Sequence, residues 1–330
     1  MSDAILKWYK TKHKLQTNFK WWLKMKLLVI CALLFASALA DLRPIYEFPE
    51  WWAQRSFQPS EEIQSRFRGA RIIGGSEANR NQFPYQVGLR LTIPGNENQG
   101  TCGGSLVSNN RVVTAAHCVD IVSSVESVMG AHFLLDASEP TQLRRISPQG
   151  HFFWHENYNP QNLSNDVAIV NFLEPIWFIP AIRPISFPEG ADLDERFEGQ
   201  LAVASGWGYF GPENVLSPFL RFVEVSVMTN LACRIRYPSF IHDGIRELMW
   251  FLDLMDIQNL FGSVCTSGSS ANGNVGACNG DSGGPLTVQR DGESILIGIA
   301  SFVSGFGCEA GFPTGFSRVT SFVPWFRARM

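Results

Sequence analysis

Residues 280–289 read Gly-Asp-Ser-Gly-Gly-Pro-Leu-Thr-Val-Gln, a serine in a glycine-rich turn followed at once by a strand-like run. The same Gly-x-Ser-x-Gly pattern marks the nucleophile elbow of a different fold, in which a helix follows the serine and the catalytic histidine comes later in the chain. Here Pro285 and a strand follow, and no histidine lies beyond Ser282. The elbow interpretation therefore fails, and the partners of Ser282 must lie upstream.

Two upstream motifs supply those partners. A serine that attacks a carbonyl needs a base beside it, an acid that orients the base, and donors for the oxyanion. Residues 114–118 read Thr-Ala-Ala-His-Cys, and residues 165–169 read Asn-Asp-Val-Ala-Ile. A lone histidine or aspartate is usually structural, and five of the six histidines carry no motif. The three motifs together, in this order, predict a catalytic triad of His117, Asp166 and Ser282.

Short β-rich runs surround these motifs. From Ile72 onward they alternate with Gly, Pro and Asn clusters, which is typical of an all-β sandwich or barrel. The apolar spacing predicts helices at 229–237 and 321–329. The run 243–261 also has helix-like spacing. It is interpreted either as a loop bordering a substrate cleft or, with slight preference, as a surface insertion or gene-model error.

Composition excludes several classes of function. The chain has 330 residues, of which 45% are hydrophobic and 17% charged, so it is neither disordered nor fibrous. From Ile72 onward there are 15 arginines, 24 acidic residues and no lysine, a net charge of −9. An acidic body without a basic patch argues against nucleic acid and against an anionic membrane as the partner.

The N-terminal region predicts export. Residues 27–40 form an apolar run of 14 residues that follows lysines and ends in Ala-Leu-Ala, as a cleaved signal peptide does. Residues 1–40 are thus a signal with an overlong lead, in which Met25 is the conventional start; an uncleaved signal anchor is the alternative. Residues 41–71 lack a sustained period and are interpreted as an extended pro-segment. The mature protein is expected to be extracellular and not membrane-bound.

The cysteines agree with export. One of the seven, Cys31, lies in the predicted signal, and the even number left implies disulfides. The sequence leaves 15 connectivities open. The six are Cys102, Cys118, Cys233, Cys265, Cys278 and Cys308.

From Ile72 to the C-terminus the chain resembles the trypsin- and chymotrypsin-like serine proteases. The phrases GAHFLLDASEPTQ and HENYNPQNLSNDVAIV are most similar to arthropod chymotrypsins, elastases and brachyurins. The resemblance implies one domain (72–330) of two packed antiparallel β-barrels with a short C-terminal helix and the triad between them. It implies the disulfides Cys102–Cys118, Cys233–Cys265 and Cys278–Cys308. It gives the oxyanion hole to the backbone N–H groups of Gly280 and Ser282.

The resemblance also implies activation by a cut. In this family, cleavage before an Ile such as Ile72 frees an amine that pairs with the aspartate preceding the nucleophile, here Asp281. Arg71 before the cut implies an activating protease of trypsin-like specificity. No cysteine occurs between Asp41 and Arg71, so no disulfide is expected to retain the pro-segment.

The primary specificity pocket follows from the same resemblance. Gly276 would form its floor, where trypsin-like enzymes place an aspartate, so a preference for basic residues is not expected. Val303 and Thr314 would narrow its walls and favour small to medium apolar residues. Ser301 to Val303 would pair with the substrate backbone as an added strand. Brachyurins often have an acidic residue at the place of Thr314, so collagen cleavage does not follow.

The remaining expectations concern modification and partners. Asn162-Leu163-Ser164 is a plausible N-glycosylation sequon, although an unmodified asparagine is an equal expectation. No metal or cofactor is expected. The expected partners are protein or peptide substrates, and the enzyme is expected to be a monomer. The alternative to an endopeptidase is a catalytically silent homologue with a binding or regulatory role, and a membrane-tethered protease follows if residues 27–40 are not removed.

Overall fold

The chain folds almost entirely into β-structure. The computed structural model describes residues 74–96, 100–210, 215–236, 262–271, 273–303 and 308–330. The predicted signal and pro-segment, residues 71–72 and the run 243–261 lie outside these described residues. Within them there are two α-helices, α1 (Asn230–Arg236) and α2 (Val319–Arg327). The all-β prediction is confirmed.

The first half of the described chain forms a seven-stranded antiparallel sheet with the order β6-β5-β2-β3-β4-β8-β7. The strands, numbered in chain order, are β2 (Gln86–Thr92), β3 (Gly100–Ser108), β4 (Arg111–Thr114), β5 (Ser124–Met129), β6 (Leu143–Pro148), β7 (Phe152–Trp154) and β8 (Ala168–Asn171). Among the described residues its two edge strands, β6 and β7, do not pair, so this sheet curls without closing.

The second half closes into a six-stranded antiparallel barrel. Its order is β12-β13-β18-β17-β16-β9, and β9 pairs back with β12 to complete the ring. The strands are β9 (Leu201–Gly206), β12 (Arg221–Met228), β13 (Ser263–Thr266), β16 (Pro285–Arg290), β17 (Glu293–Phe302) and β18 (Thr314–Arg318), and β1 (Ser76–Glu77) adds to β12 from outside. Two small hairpins, β10 (Tyr209–Phe210) with β11 (Val215–Leu216) and β14 (Ser269–Ser270) with β15 (Gly273–Asn274), extend from it.

Side-chain alternation along the strands builds the two cores. In β12 every second residue of the sequence RFVEVSVM is buried, as expected for a strand with one face toward the barrel interior. The second barrel is filled by residues such as Val225, Leu286 and Phe316. The first sheet encloses a separate cluster that includes Leu89, Val113 and Ile169.

The C-terminal helix joins the two halves. Helix α2 leaves β18 of the second barrel directly, and its buried residues Val319, Phe322, Val323 and Phe326 recur at helical spacing. These residues pack into the core of the first sheet. The helix was expected at 321–329 and begins and ends two residues earlier because β18 passes into it without a loop. Helix α1 lies within the predicted range 229–237.

Direct contacts between the two halves position the loops between them. Gln86 Oε1 of β2 accepts a hydrogen bond of 2.6 Å from Ser205 Oγ of β9. Gly103 of β3 lies so close to Gly284 that an added Cβ would stand 2.7 Å from the Gly284 Cα. Only a residue without a side chain permits this approach.

The three disulfides join Cys102 to Cys118, Cys233 to Cys265 and Cys278 to Cys308. These are the pairs that the family resemblance implied. The first lies in the first sheet beside His117, and the third fixes the loop that precedes Ser282. Two of the three bridges thus hold segments that carry candidate site residues.

Candidate active site

Strand pairing brings the histidine and aspartate motifs together. Strands β4 and β8 are antiparallel neighbours, with Thr114 opposite Ala168. His117 follows β4 in a 3-10 turn (Ala116–Cys118), and Asp166 precedes β8. Because the strands are antiparallel, both residues lie at the same end of this strand pair. The pairing of these strands brings the two side chains into contact, although 49 residues separate them in sequence.

The Asp166 carboxylate holds His117 at two points. Its Oδ2 lies 2.8 Å from His117 Nδ1, and its Oδ1 accepts a bond of 3.0 Å from the His117 backbone N–H. Asp166 is fully buried and His117 is 7% exposed. With Nδ1 bonded to the carboxylate, the other ring nitrogen is the one left for proton transfer.

The second barrel completes the environment of Asp166. Ser301 Oγ, near the end of β17, donates 2.6 Å to Asp166 Oδ2. Ser317 Oγ, in β18, donates 2.8 Å to the Asp166 backbone carbonyl. Both serines are buried. The acid of the first sheet is thus fixed by two hydroxyl groups of the second barrel.

The electrostatics favour the protonated histidine. Burial acts to lower the pKa of His117, but the charge and hydrogen bond of Asp166, with a further contribution from Asp120, leave it raised above 6.5. Burial also raises the pKa of Asp120 to about 6, with His117 acting against this rise and Asp166 adding to it. The ionised Asp120 carboxylate is therefore one of the charges that stabilise the protonated His117.

Ser282 is partly exposed and its loop is tied to both halves of the molecule. Its carbonyl accepts 2.6 Å from Gly103 N in β3, next to the Cys102–Cys118 bridge. The following residue, Gly283, donates 2.7 Å to Ala300 O in β17, next to Ser301. Gly283 has a φ of +76° and sits against Thr114. These bonds set the nucleophile loop against the His117 and Asp166 segments.

The loop before Ser282 presents backbone donors. Gly280 has a φ of +93°, a conformation that favours glycine. Asp281 N donates to Cys278 O and Gly284 N donates to Asp281 O, which closes a tight turn around Ser282. Among the described residues, the N–H groups of Gly280 and Ser282 donate to no acceptor. Two donors in one turn are therefore available to a ligand.

The Asp281 side chain is buried and accepts hydrogen bonds from two backbone N–H groups. Its Oδ1 accepts 2.7 Å from Gly208 N, and its Oδ2 accepts 2.9 Å from Cys278 N. Burial raises the pKa of this carboxyl to about 6, against the lowering effect of the two backbone donors. Among the described residues, the hydrogen-bond partners of this carboxylate carry no formal charge, so a buried carboxylate here calls for a cation.

Two of the predicted pocket residues lie in contact. Gly276 is buried with a φ of +150°, and an added Cβ would stand 2.9 Å from Thr314 Oγ1. Thr314 is buried at the start of β18, beside β17, which carries Ser301 and Phe302. Val303 follows β17 and is half-buried. A threonine hydroxyl thus borders the space above Gly276.

The sequon and the possible ligands of a metal were also located. Asn162 is exposed, and its Oδ1 accepts 3.0 Å from Ser164 N. Cys102, His117 and Cys118 bring ligand-type atoms within 4.8 Å of one another. The two sulfurs are bonded to each other, so they are not thiolate ligands.

Sequence reasoning missed part of this site. Ser301 was assigned only to substrate pairing, and neither Ser317 nor Asp120 was singled out. Ser301 is the polar residue in the run Ile-Leu-Ile-Gly-Ile-Ala-Ser-Phe, and Ser317 stands in a fully buried strand. A buried hydroxyl in an apolar strand requires a partner, and that requirement is the signal that was available.

The fold and this arrangement define a serine endopeptidase. The family model described as Trypsin matches residues 72–326, and the chain belongs to that family. It acts on protein or peptide substrates. The predicted trypsin-like all-β fold is confirmed, with a closed second barrel and a first sheet that forms a half-barrel.

Two of the relatives that the chain resembles are arthropod enzymes. The chain is 34% identical over 301 residues to a collagenase of Hypoderma lineatum, covering 91% of this chain and 96% of the relative. It is 34% identical over 259 residues to a brachyurin of Leptuca pugilator, covering 78% and 98%. A solved structure of HL collagenase superposes with a TM-score of 0.63 at 32% identity, covering 77% of this chain and 96% of that one.

Proposed function

We propose that this endopeptidase is made as a secreted precursor, is activated by cleavage after Arg71, and hydrolyses peptide bonds through His117, Asp166 and Ser282. The observation that carries the proposal is the pairing of the His117 ring and backbone with the buried Asp166 carboxylate, next to the loop of Ser282. Of the residues described, these three combine a nucleophile, a base and an orienting acid in neighbouring segments.

The chemistry follows from these positions. Ser282 Oγ attacks the carbonyl carbon of the substrate while His117 accepts the hydroxyl proton, and the carbonyl oxygen becomes an oxyanion. The N–H groups of Gly280 and Ser282 receive that oxyanion; loss of one such donor typically costs about 3–4 kcal/mol of transition-state stabilisation. His117 then protonates the leaving amine, and a water molecule attacks the acyl-enzyme by the same route. Asp166 stays ionised and stabilises the imidazolium.

Asp281 supports the activation step. It is fully buried beside Ser282, and its contacts on the described residues are neutral backbone donors. Cleavage after Arg71, by a protease of trypsin-like specificity, creates an ammonium group at Ile72 that neutralises this carboxylate. The alignment with the Hypoderma collagenase covers 91% of this chain, so it extends upstream of the catalytic domain into the region assigned to the signal and pro-segment.

The pocket supports a preference for small to medium apolar residues. Gly276 leaves the floor uncharged, and Thr314 Oγ1 borders the space above it. An uncharged floor gives no counterion to Lys or Arg. Because one methylene group is worth only about 1–3 kcal/mol in such a pocket, the preference is graded. The names of the relatives include collagenases, but collagen is not proposed as the substrate.

Export and the monomeric state complete the proposal. The apolar run 27–40 with its small-residue end acts as the signal, and the three disulfides suit an oxidising compartment. None of the described helices is long and apolar enough to cross a bilayer. The mature enzyme is a monomer whose Asn162 is open to glycosylation.

The test is peptide hydrolysis after trypsin treatment and removal of the trypsin. Peptides ending in Ala, Leu, Phe or Arg are compared, and the Ser282→Ala variant receives the same treatment. Turnover of the Ala or Leu peptide, absent from the variant, supports the enzyme and the narrowed pocket. Cleavage mainly after Phe keeps the mechanism and overturns the roles of Val303 and Thr314. No turnover despite a sequenced Ile72 N-terminus would instead favour the silent homologue.

A further inference from the structure

His132 is a buried residue that contacts the strand following the activation site. Its Nε2 lies 3.0 Å from Glu77 Oε1, and its side chain is 9% exposed against 50% for Glu77. Glu77 belongs to β1, five residues after Ile72, and stands opposite Arg221 of β12. Ala78 N donates 2.9 Å to Leu220 O, which holds the next residue to the same barrel. The His132 contact is thus a side-chain anchor on the segment that leads to Ile72.

The same residue supports the pocket of Asp281. The His132 carbonyl accepts 3.0 Å from Trp207 Nε1 and 2.8 Å from Leu220 N. Trp207 is buried and is followed by Gly208, whose N–H bonds to Asp281 Oδ1. His132 therefore contacts β1 through its side chain and Trp207 through its carbonyl. Trp207 precedes Gly208, which binds Asp281, the residue that the Ile72 amine would meet.

The loop that carries His132 is fixed independently of the imidazole ring. Glu139 Oε2 accepts 2.8 Å from His132 N and 3.0 Å from Phe133 N, and Arg80 pairs with the same carboxylate. The ring packs near Phe133 and Phe219, with centroids 5.2 and 5.8 Å away. Among the described residues, the ring of His132 contacts the Glu77 carboxylate and its backbone contacts the Glu139 carboxylate, which pairs with Arg80. Arg221 stands opposite Glu77 in the strand register.

The second ring nitrogen faces a polar cavity. His132 Nδ1 and Gln86 Nε2 are buried without a protein partner among the described residues, and both residues line a cavity with about 10 Å³ of space for the centre of a water molecule. That space suits one water. When Nε2–H donates to the Glu77 carboxylate, Nδ1 carries no proton and is an acceptor that faces this cavity.

We propose that His132 is a positioning residue for activation, which holds β1 through Glu77 so that the Ile72 amine reaches Asp281. The inference rests on the activation step proposed above. A tethered and pre-ordered strand loses less conformational freedom when the amine inserts, and therefore inserts with a larger equilibrium constant. Removing the contact leaves the triad intact and lowers the fraction of molecules in the active conformation.

Insertion gives the proposal a pH readout. Only the ammonium form of Ile72 pairs with the Asp281 carboxylate, so its pKa is raised in the inserted state and activity falls as the pH rises through that value. A tenfold smaller insertion constant lowers this alkaline midpoint by up to about one pH unit. A residue that merely stabilises the fold does not move the midpoint.

The experiment compares Glu77→Ala and Glu77→Gln with the wild type after activation and sequencing of the Ile72 N-terminus. The activity kcat/KM and the fraction of titratable active sites are measured from pH 7 to 11. We expect Glu77→Ala to lower the alkaline midpoint by roughly 0.5–1 pH unit, corresponding to a three- to tenfold loss of insertion. The side-chain carbonyl of Glu77→Gln still accepts from His132 Nε2–H. Its alkaline midpoint is therefore expected to lie between those of Glu77→Ala and the wild type.

Matched controls separate positioning from stability. Glu174→Ala removes an exposed acid far from β1 in sequence, and Ile297→Val lowers stability within the buried core of the second barrel. Both should keep the wild-type midpoint. His132→Ala should shift the midpoint like Glu77→Ala, and the double variant should shift it no further. Midpoints of the Glu77 variants equal to that of the wild type would overturn the positioning role alone. An inactive wild type with a verified Ile72 N-terminus would overturn the proposed function and this inference with it.

Discussion

Ser301 Oγ of the second barrel lies 2.6 Å from Asp166 Oδ2 of the first sheet, although 135 residues separate the two in sequence. The orienting acid therefore depends on both halves of the molecule. A small rotation of one barrel against the other would change the donor set of Asp166 and, through it, the orientation of His117. The proposed catalytic geometry therefore depends on the interface between the first sheet and the second barrel.

Ser301→Ala should lower kcat/KM by roughly tenfold, because the carboxylate loses a charge-assisted hydrogen bond. Ser317→Ala is the matched control, since its hydroxyl bonds to the Asp166 backbone carbonyl and not to the carboxylate. Ser317→Ala should change kcat/KM by less than about threefold, and it should lower the melting temperature by about as much as Ser301→Ala does. Steady-state kinetics and thermal unfolding of both variants check this, and equal kinetic losses would contradict it.

Asp120→Asn should move the acidic limb of the pH profile of kcat/KM to lower pH. The ionised Asp120 carboxylate helps to raise the pKa of His117, so its removal makes the imidazole lose its proton at lower pH. Because Asp120 itself has a pKa of about 6, its charge is present where the limb is measured. We expect a shift of roughly 0.3–0.5 pH unit. The exposed Asp136→Asn is the control, and a shift in the opposite direction would exclude the coupling.

Gly283→Ala should destabilise the protein by about 3 kcal/mol or more. At a φ of +76° the new Cβ would overlap Thr114 Oγ1 and lie 2.6 Å from Gly103 O, where the two halves meet. Gly292→Ala has a comparable φ of +85° with open space around the site, so it carries the backbone strain alone, about 1 kcal/mol. Urea unfolding in a Ser282→Ala background measures the difference, and equal losses would show that the packing around Gly283 is loose.

The uncut precursor should lose stability relative to its Asp281→Asn variant as the pH rises from below 4 to above 6. Burial raises the pKa of Asp281 from 3.8 to about 6, so the folded chain binds a proton that the unfolded chain releases. The stabilisation is present below pH 3.8 and lost as the pH passes 6, by about 3 kcal/mol in total. Unfolding at several pH values, with Ser282→Ala in both chains, checks the trend. After activation the Ile72 amine should reverse it, because the ionised carboxylate is then paired.

The amino-acid sequence was sufficient to predict the class of fold and to name the candidate residues. Short strand runs separated by turn residues indicated an all-β protein, and the three motifs named His117, Asp166 and Ser282. Local requirements explain why these features can be predicted from sequence. A strand needs alternating or continuous apolar residues, a tight turn needs glycine, and each motif concentrates its chemistry within five or six neighbouring positions.

Which distant groups meet is seen only in the folded chain. The bonds of Ser301 and Ser317 to Asp166, the bond of Gly103 to Ser282, and the contact of Glu77 with His132 each join segments that are far apart in sequence. Such contacts depend on strand register and on the packing of one barrel against the other, which arise from the sum of many weak apolar contacts and have no local signature. A buried serine in an apolar strand indicates that a partner exists, and only the folded chain shows which residue it is.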